Sequence, residues 1–427
     1  MAQFTPFVRI LKGLDGTVEL WCDSDQEISS DPTIPPPTMF FLPQHRFFNM
    51  RLPTGVFILS CFLVAALYHI LSPSLKRDSE PHPWEWAENV DFVFSWVNGF
   101  DPEWLARRAK VCPSCPMHST ANDRSNDELK YSLRSIAQYV PWHKGRVVLV
   151  TPGQVPAWLN PAHPRVQMVN QDVLVPPEVG FTANTFVILW YLDRIPGLSE
   201  HFIYIEDDNF ADSPVHPSTF FTEDRAIRFF DNAHFSRPDA RIQNATREQA
   251  DEAYQRFLSG KIRDGYGVAG QHTSAALKEV FDDPAAHFIY PKHAPIVSRR
   301  SVYPVARLLF AKYLRPMHAD TRRQPRSVLP TETLRSVALR LAAENPELPP
   351  LAEVAPPEEC ASRFLSEVVT DDAARNEALF ARLLGPERGQ RAFFSINDAM
   401  GANHEVGGRQ LREFLAARYP VPSEFEK

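Results

Sequence analysis

Short apolar runs of strand-like character alternate with apolar residues at helical spacing along most of this chain. Buried β-strands are predicted at 90–97, 146–151, 166–169, 201–205 and 393–396, where the runs are rich in Val, Ile and Phe. Helical spacing predicts helices at 128–139, 185–195, 249–258, 274–281, 301–313, 334–345, 373–384 and 406–419. Strands that alternate with helices predict an α/β fold, with a mainly parallel sheet flanked by helices.

One apolar run, at 52–71, is long enough to cross a bilayer, because about 20 helical residues span its hydrocarbon core. It predicts a transmembrane signal anchor, and a buried core helix is the alternative. Residues 1–51 would then be a disordered cytosolic tail, 72–89 a stem, and 90–427 a lumenal catalytic domain. The expected location is the Golgi or another secretory-pathway membrane, as a single-pass type II protein.

Composition and charge narrow the function classes. Hydrophobic residues make up 44% of the chain and charged residues 23%, as in ordinary globular proteins. The net charge of −7 argues against a nucleic-acid partner, because such partners need a basic surface. Cys112 and Cys115 have zinc-ligand spacing without a second pair, which favours a disulfide or two thiols. Dinucleotide-binding, P-loop, serine hydrolase and HExxH motifs are absent from the sequence.

Acidic residues directly follow two of the predicted strands. Glu206, Asp207 and Asp208 come after one strand, and Asn397 and Asp398 follow another. Ligands of parallel sheets bind at the carboxyl ends of the strands, and hard cations prefer carboxylates together with diphosphate oxygens. The pattern predicts a Mg²⁺ or Mn²⁺ site. A solvated acidic turn and an Asx turn are the alternatives for the two segments.

His293 lies in a predicted loop, and imidazole is the side chain best suited to take a proton near neutral pH. A sugar hydroxyl that attacks phosphorus needs such a base. Guanidinium groups nearby would pair with phosphate or serve as surface charges, and they belong to Arg299, Arg300, Arg322, Arg323 and Arg326.

The segment DFVFSWVNGFDPEW, at 91–104, resembles the first signature block of the Stealth family. Residues 126–210, 287–313 and 393–426 are similar to the second, third and fourth blocks, in family order. The resemblance implies a nucleotide-sugar transferase-like fold and attack by an acceptor hydroxyl on the sugar-linked phosphate of a UDP-sugar. UMP leaves, a phosphodiester forms, and Mg²⁺ or Mn²⁺ is the expected cofactor.

The resemblance also implies partners. UDP-N-acetylglucosamine and UDP-xylose are both open as donors, a mannose-containing glycan is a candidate acceptor, and a homodimer is left open. No nucleic acid is expected, and membrane contact would be through the one helix at 52–71.

Site residues are implied position by position. His293, Asp208 and Asp398 match catalytic positions, with His293 as the base, and Asp207, Asp208 and Asp398 are the implied metal ligands. The implied substrate-binding residues are Asn98, Gly99, Asp101, Asn126, Glu128, Arg134, Ser135, Arg326, Asn397 and His404.

Three residues depart from the family pattern. Leu189, Asp193 and Ser274 stand where many members have Glu, His and Asn, respectively. The departures at Leu189 and Ser274 favour a catalytically inactive glycan-binding or scaffold protein, which the intact acidic and histidine motifs oppose. A conventional glycosyltransferase that releases UDP is the other alternative.

Overall fold

The computed structural model describes residues 82–121, 123–230, 240–286, 293–401 and 403–427, and two strands nearer the amino terminus. The chain divides into two units, Met1–Arg77 and Asp78–Lys427. In the first unit, β1 (Val8–Lys12) pairs antiparallel with β2 (Val18–Cys22). The predicted anchor at 52–71 lies outside the described residues. None of the described helices is both long and apolar enough to cross a membrane.

The second unit is built on a five-stranded sheet with the order β5-β4-β3-β6-β9. Its strands are β3 (Asp91–Ser95), β4 (Val147–Thr151), β5 (Val166–Asn170), β6 (His201–Glu206) and β9 (Ile296–Arg299). β3 to β6 run parallel, and β9 is antiparallel to β6. The inner strands are buried along nearly their whole length, as in a sheet covered on both faces. The predicted α/β fold with a mainly parallel sheet is confirmed.

A second, three-stranded sheet adjoins the end of β6. It consists of β7 (Asn209–Ala211), β11 (Phe364–Val369) and β12 (Phe393–Asp398). β12 runs parallel to β11 and antiparallel to β7. Only Asp207 and Asp208 separate β6 from β7, so the chain passes between the two sheets at this acidic turn. A further parallel pair joins β8 (Ile227–Phe229) to β10 (Ala352–Val354).

The described α-helices span Pro102–Val111, Glu128–Tyr139, Thr185–Leu189, Ala240–Gln243, Arg247–Leu258, Gly265–Phe281, Val302–Leu309, Ala311–His318, Pro330–Glu344, Pro357–Arg363, Ala373–Leu384 and His404–Arg418. Short 3₁₀ turns lie at Glu85–Asn89, Gln171–Val173, Leu192–Arg194 and Pro217–Thr219.

Several helices differ from their predicted extents. The predicted helix at 185–195 is α-helical only over Thr185–Leu189, with a 3₁₀ turn at Leu192–Arg194, and the one predicted at 334–345 begins at Pro330. The predicted helix at 274–281 is the second half of Gly265–Phe281. The first half contains glycines, which have low helix propensity, so the sequence pattern did not predict it. The predicted helix at 301–313 is interrupted at Phe310, which leaves helical geometry. Cys112 and Cys115 form a disulfide just after the helix Pro102–Val111, which is one of the favoured alternatives to zinc.

Candidate active site

The ends of three strands converge on the acidic turn after β6. Parallel pairing sets Ser95, at the end of β3, opposite Glu206, at the end of β6. β12 arrives from the second sheet, and the backbone N–H of Ile396 donates to the carbonyl oxygen of Asp208 over 3.1 Å. Both predicted acidic segments therefore lie at one edge of the structure, as expected for strand ends of a parallel sheet.

A cleft of about 1100 Å³, counting space open to solvent, lies over these strand ends. Charged side chains of both signs line it. The carboxylates are those of Asp123, Glu128, Glu206, Asp207, Asp208 and Asp398, and the basic groups are Arg124, Arg323 and His293.

Glu206, Asp208 and His293 form the tightest group in the cleft. Nε2 of His293 lies 2.5 Å from Oε2 of Glu206 and 3.6 Å from Oδ1 of Asp208. One ligand atom from each residue lies within 4.8 Å of the others, which is close enough for all three to contact one metal ion. Two carboxylates and one imidazole are ligands that divalent cations accept.

Burial and crowding of charge shift the pKa values of this group. Burial alone would lower the pKa of His293, but the carboxylates of Asp208 and Glu206 outweigh it and raise it to about 10. Burial raises the pKa of Asp208 to about 6 against the opposing effect of His293. Burial, followed by repulsion from Glu128 and Asp208, raises the pKa of Asp207 well above its usual value. So many close carboxylates favour binding of protons or of a cation.

Asp398 reaches the cleft wall but pairs there with Arg124. Nη1 of Arg124 lies 3.0 Å from Oδ2 of Asp398, and the backbone N–H of Met400 donates to Oδ1 over 2.8 Å. The Arg124 side chain is 3% exposed, so the pair is almost fully buried. The structure thus brings Asp207, Asp208 and Asp398 to one cleft, and it groups Asp208 with Glu206 and His293.

Two sequence profiles of known protein families match the part of the chain that includes the acidic turn. Residues 88–112 match the sequence profile described as Stealth protein CR1, conserved region 1. Residues 122–229, which include the acidic turn, match Stealth protein CR2, conserved region 2. The chain belongs to the Stealth family. The first two blocks of the resemblance are confirmed, and the third and fourth stay predictions.

Several bacterial proteins are similar to this Stealth protein. An exopolysaccharide phosphotransferase of Streptomyces coelicolor is 33% identical over 347 residues, which cover 79% of this chain and 52% of the relative. One of Nocardia farcinica is 30% identical over 365 residues, covering 83% and 64%. CpsY of Mycobacterium tuberculosis, named likewise, is 36% identical over 170 residues, covering 39% and 32%. The chain therefore spans only about half to two thirds of the length of the first two relatives.

These relatives correct the predicted location. A Golgi type II protein was expected from the apolar run at 52–71, but the relatives come from bacteria, which have no Golgi. The prediction of a Golgi location is therefore wrong. It rested on a local hydropathy pattern, and such a pattern does not specify a compartment.

Among solved structures, the galactosyltransferase LgtC, crystallised with donor and acceptor sugar analogues, aligns with 78% of this chain and 98% of its own. The sequence identity is 13% and the TM-score 0.35, so the likeness is too distant to support a functional argument.

The first-block residues of this Stealth protein lie beside the acidic cleft and line a neighbouring pocket. Asn98 and Asp101 line that pocket, and Trp96 lines both cavities. Gln154 ties them together, since its Nε2 donates to the carbonyl oxygen of Asn98 (3.1 Å) and to Oδ2 of Asp101 (2.7 Å). Asp101 also caps the helix Pro102–Val111. A side chain at Gly99 would clash with the backbone of residue 123.

Of the substrate-binding residues implied at Asn126, Glu128, Arg134 and Ser135, only Glu128 lines the cleft. Burial raises its pKa to about 7 against the hydrogen bonds from Asn126, whose Nδ2 donates to Oε1 of Glu128 over 3.0 Å. Arg134 forms two hydrogen bonds with the Glu426 carboxylate, at 2.8 and 2.7 Å. Ser135 accepts a hydrogen bond from the backbone of β7. Arg134 and Ser135 therefore stabilise the fold.

Two further predicted residues lie outside the cleft. Arg326 donates to Oδ1 of Asp320 over 2.7 Å, and the His404 ring lies 6.3 Å from that of Phe100. Arg323, which the sequence offered only as one of several arginines, lines the cleft instead. Arg124 belongs to no sequence motif used in the prediction, and only the tertiary structure shows that it lines the cleft.

The three departures from the family pattern are accommodated inside the protein. Leu189 is buried in the main core. Asp193 accepts two hydrogen bonds from Arg307, at 2.5 and 2.7 Å. Ser274 is buried and donates to the carbonyl oxygen of Gln243. Each residue therefore has a local packing role at its position.

Proposed function

We propose that this Stealth protein transfers a sugar phosphate from a nucleotide sugar to a hydroxyl group of a glycan. The single observation that carries the proposal is the convergence of Glu206, Asp208 and His293 at the strand ends of one large cleft. The bacterial relatives are named exopolysaccharide phosphotransferases, which supports the same reaction class.

The cleft residues fit a divalent cation. Glu206 and Asp208 offer hard oxygen ligands, and burial raises the pKa of Asp208, so a cation at this position would offset the cost of burying its negative charge. We assign these two carboxylates to a Mg²⁺ or Mn²⁺ ion, with Asp207 beside them. When bound, the ion stabilises negative charge on the departing nucleotide.

We assign proton uptake to Nε2 of His293, the ring nitrogen that faces the carboxylates, in the cation-bound site, where the cation would offset the carboxylate charge that raises the pKa of the ring. The acceptor oxygen bonds to the sugar-linked phosphorus, the bond from that phosphorus to the nucleotide oxygen breaks, and UMP leaves. The hydroxyl proton passes to Nε2, and Glu206 then stabilises the protonated ring through the 2.5 Å hydrogen bond.

Positive charge for the phosphate groups comes from the cleft wall. Arg323 lines the cleft. Burial alone would raise the pKa of Glu206, but the charges of His293 and Arg323 lower it, so Arg323 lies close to this carboxylate. Guanidinium groups match phosphate oxygens bidentately. We assign Arg323 to the diphosphate of the donor. UDP-N-acetylglucosamine and UDP-xylose are the donors we propose to test first, with mannose-containing glycans among the acceptors.

The product nucleotide tests the reaction type. The purified chain is incubated with each UDP-sugar, Mn²⁺ and a panel of oligosaccharides, and the nucleotides are separated by chromatography. UMP together with a phosphodiester-linked product is the expected result. UDP as the product would identify a conventional glycosyltransferase. Glycan binding without turnover of any donor would identify an inactive binding protein.

A further inference from the structure

Two strands of the second sheet form hydrogen bonds with the backbone of His293. β11 and β12 pair in parallel with Ser366 opposite Ser395, so their hydroxyl groups lie side by side. Both hydroxyls donate to the carbonyl oxygen of His293, over 3.4 Å from Ser366 and 3.2 Å from Ser395. The backbone of His293 is therefore attached to a regular sheet, although this residue belongs to neither strand.

Asn397 continues the same face of β12. Side chains two residues apart in a strand point to the same side, so Asn397 follows Ser395 toward His293, while Ile396 is buried on the opposite side. Nδ2 of Asn397 lies 2.8 Å from Nδ1 of His293. With Nδ1 held in this way, Nε2 is directed at Glu206 and Asp208.

We infer that Asn397 is a positioning residue that fixes the orientation of the His293 ring. An amide suits this position because it can serve the ring in either state. Its nitrogen donates to an unprotonated Nδ1, and its oxygen, after rotation of the amide, accepts from a protonated one. Partners of this kind orient imidazole groups in many sites.

This role differs from the substrate-binding role that the family resemblance implies for Asn397. Asn397 lines the cleft, but its amide nitrogen is in contact with Nδ1 of His293, the ring nitrogen that faces away from the carboxylates. The inference rests on the proposed function for what His293 does in the reaction. The ring orientation itself can be measured without any substrate.

The test uses two variants and a matched control in the full chain. Asn397→Leu keeps the approximate size of the side chain and removes both hydrogen-bonding groups. Asn397→Asp offers only an acceptor and therefore requires a proton on Nδ1. Asn345→Leu is the control. This substitution also removes a side-chain hydrogen bond, the 2.8 Å bond from Asn345 to the carbonyl oxygen of Leu341, and Asn345 does not line the cleft.

The first measurement is ¹⁵N NMR of the His293 ring nitrogens without substrate, with signals assigned by comparison with His293→Gln. Asn397→Leu is expected to shift the Nδ1 resonance, Asn397→Asp to keep Nδ1 protonated at a pH where the wild-type ring has lost its proton, and Asn345→Leu to leave the resonance unchanged. An Nδ1 resonance at the wild-type position in both Asn397 variants would overturn the inference. If Asn397→Leu does not fold, Asn397→Asp decides alone.

The second measurement is steady-state turnover of UDP-N-acetylglucosamine or UDP-xylose. Asn397→Leu is expected to lower kcat by about 10- to 100-fold, with donor KM changed less than about twofold. A rise in donor KM at unchanged kcat would instead make Asn397 a substrate ligand. If the wild-type protein transfers no sugar phosphate while the NMR shifts appear as expected, the proposed function fails and the positioning role stands.

Discussion

Nε2 of His293 lies 2.5 Å from Oε2 of Glu206, although 87 residues separate them in the chain. The antiparallel strand β9 brings them together. Ile296, at its start, pairs with Tyr204 near the end of β6, so the residues just before β9 lie beside those just after Tyr204. An edge strand of opposite direction thus delivers the imidazole to the same sheet edge as the acidic turn.

Loss of the charge on Asp208 is expected to stop transfer. Asp208→Asn keeps the shape of the side chain and removes the negative charge assigned to cation binding, so kcat should fall at least about 100-fold. His293→Gln should have an effect of similar size. The measurement is the initial rate of UMP release at saturating donor.

The control for these variants is Glu344→Gln, which removes a carboxylate paired with Arg340 on an exposed helix end. It should retain wild-type turnover. Wild-type rates in Asp208→Asn or His293→Gln would remove that residue from the mechanism.

Cation binding should depend on Asp208 and not on Asp398. EDTA is expected to stop turnover, and added Mn²⁺ to restore it. Asp208→Asn should weaken Mn²⁺ binding about tenfold or more, whereas Asp398→Asn should bind Mn²⁺ nearly as the wild type does, because Asp398 pairs with Arg124. Electron paramagnetic resonance titration of free Mn²⁺ measures both.

A loss of Mn²⁺ affinity in Asp398→Asn equal to that in Asp208→Asn would instead support the ligand set implied by the family resemblance. His293→Gln gives a further distinction. Retained Mn²⁺ affinity fits a base, and lost affinity would make His293 a metal ligand.

Arg134 is expected to matter for stability. Its guanidinium pairs with Glu426 and donates to the carbonyl oxygen of Tyr419 over 2.9 Å, and both charged side chains are largely buried. Arg134→Met leaves the Glu426 carboxylate without its main partner, which should lower the free energy of unfolding by about 2–4 kcal/mol. Urea unfolding of the single variants, Glu426→Gln and the double variant measures the coupling.

The double variant should be less destabilised than the sum of the two single variants, because it leaves neither charge buried without a partner. Additive effects would show that Arg134 and Glu426 contribute independently, and would contradict the role of Arg134 as the partner of the Glu426 carboxylate.

The stability contributed by the buried, neutral ring of His143 should be lost as the pH falls from about 6.5 toward 4. His143 is buried, with Nε2 2.9 Å from the carbonyl oxygen of Val90 and Nδ1 3.0 Å from Nη2 of Arg165. The neutral ring fits both contacts, since Nε2–H donates and Nδ1 accepts. Burial, and then the charge of Arg165, lowers the pKa of His143 from 6.5 to about 4.

The direction of this pH effect follows from the linkage between proton binding and folding. The unfolded chain takes up the proton at higher pH than the folded one, so this stabilisation is complete above 6.5 and is lost as the pH falls through 4. It amounts to about 3 kcal/mol. His201 and His272 have pKa values lowered similarly by burial and add to the slope. His143→Gln should flatten the dependence of unfolding free energy on pH between 7 and 4, and an unchanged slope would exclude His143 as a contributor.

Local pattern was enough to predict much of this protein. Strands β3 to β6 and β12 follow from short runs of Val, Ile and Phe, and helices such as Glu128–Tyr139 from apolar spacing, because both signals lie within a few residues. The acidic residues at strand ends were predictable for a related reason, since parallel strands end at a shared edge.

Tertiary structure decided the partnerships within the site. Glu206 rather than Asp398 accompanies Asp208 and His293, Arg124 neutralises Asp398, and Arg323 rather than Arg326 lines the cleft. These contacts depend on the antiparallel edge strand β9 and on a second sheet joined at the acidic turn. The pairing of segments far apart in the chain is set by packing and register across the whole fold, and periodicity within one segment carries no record of it.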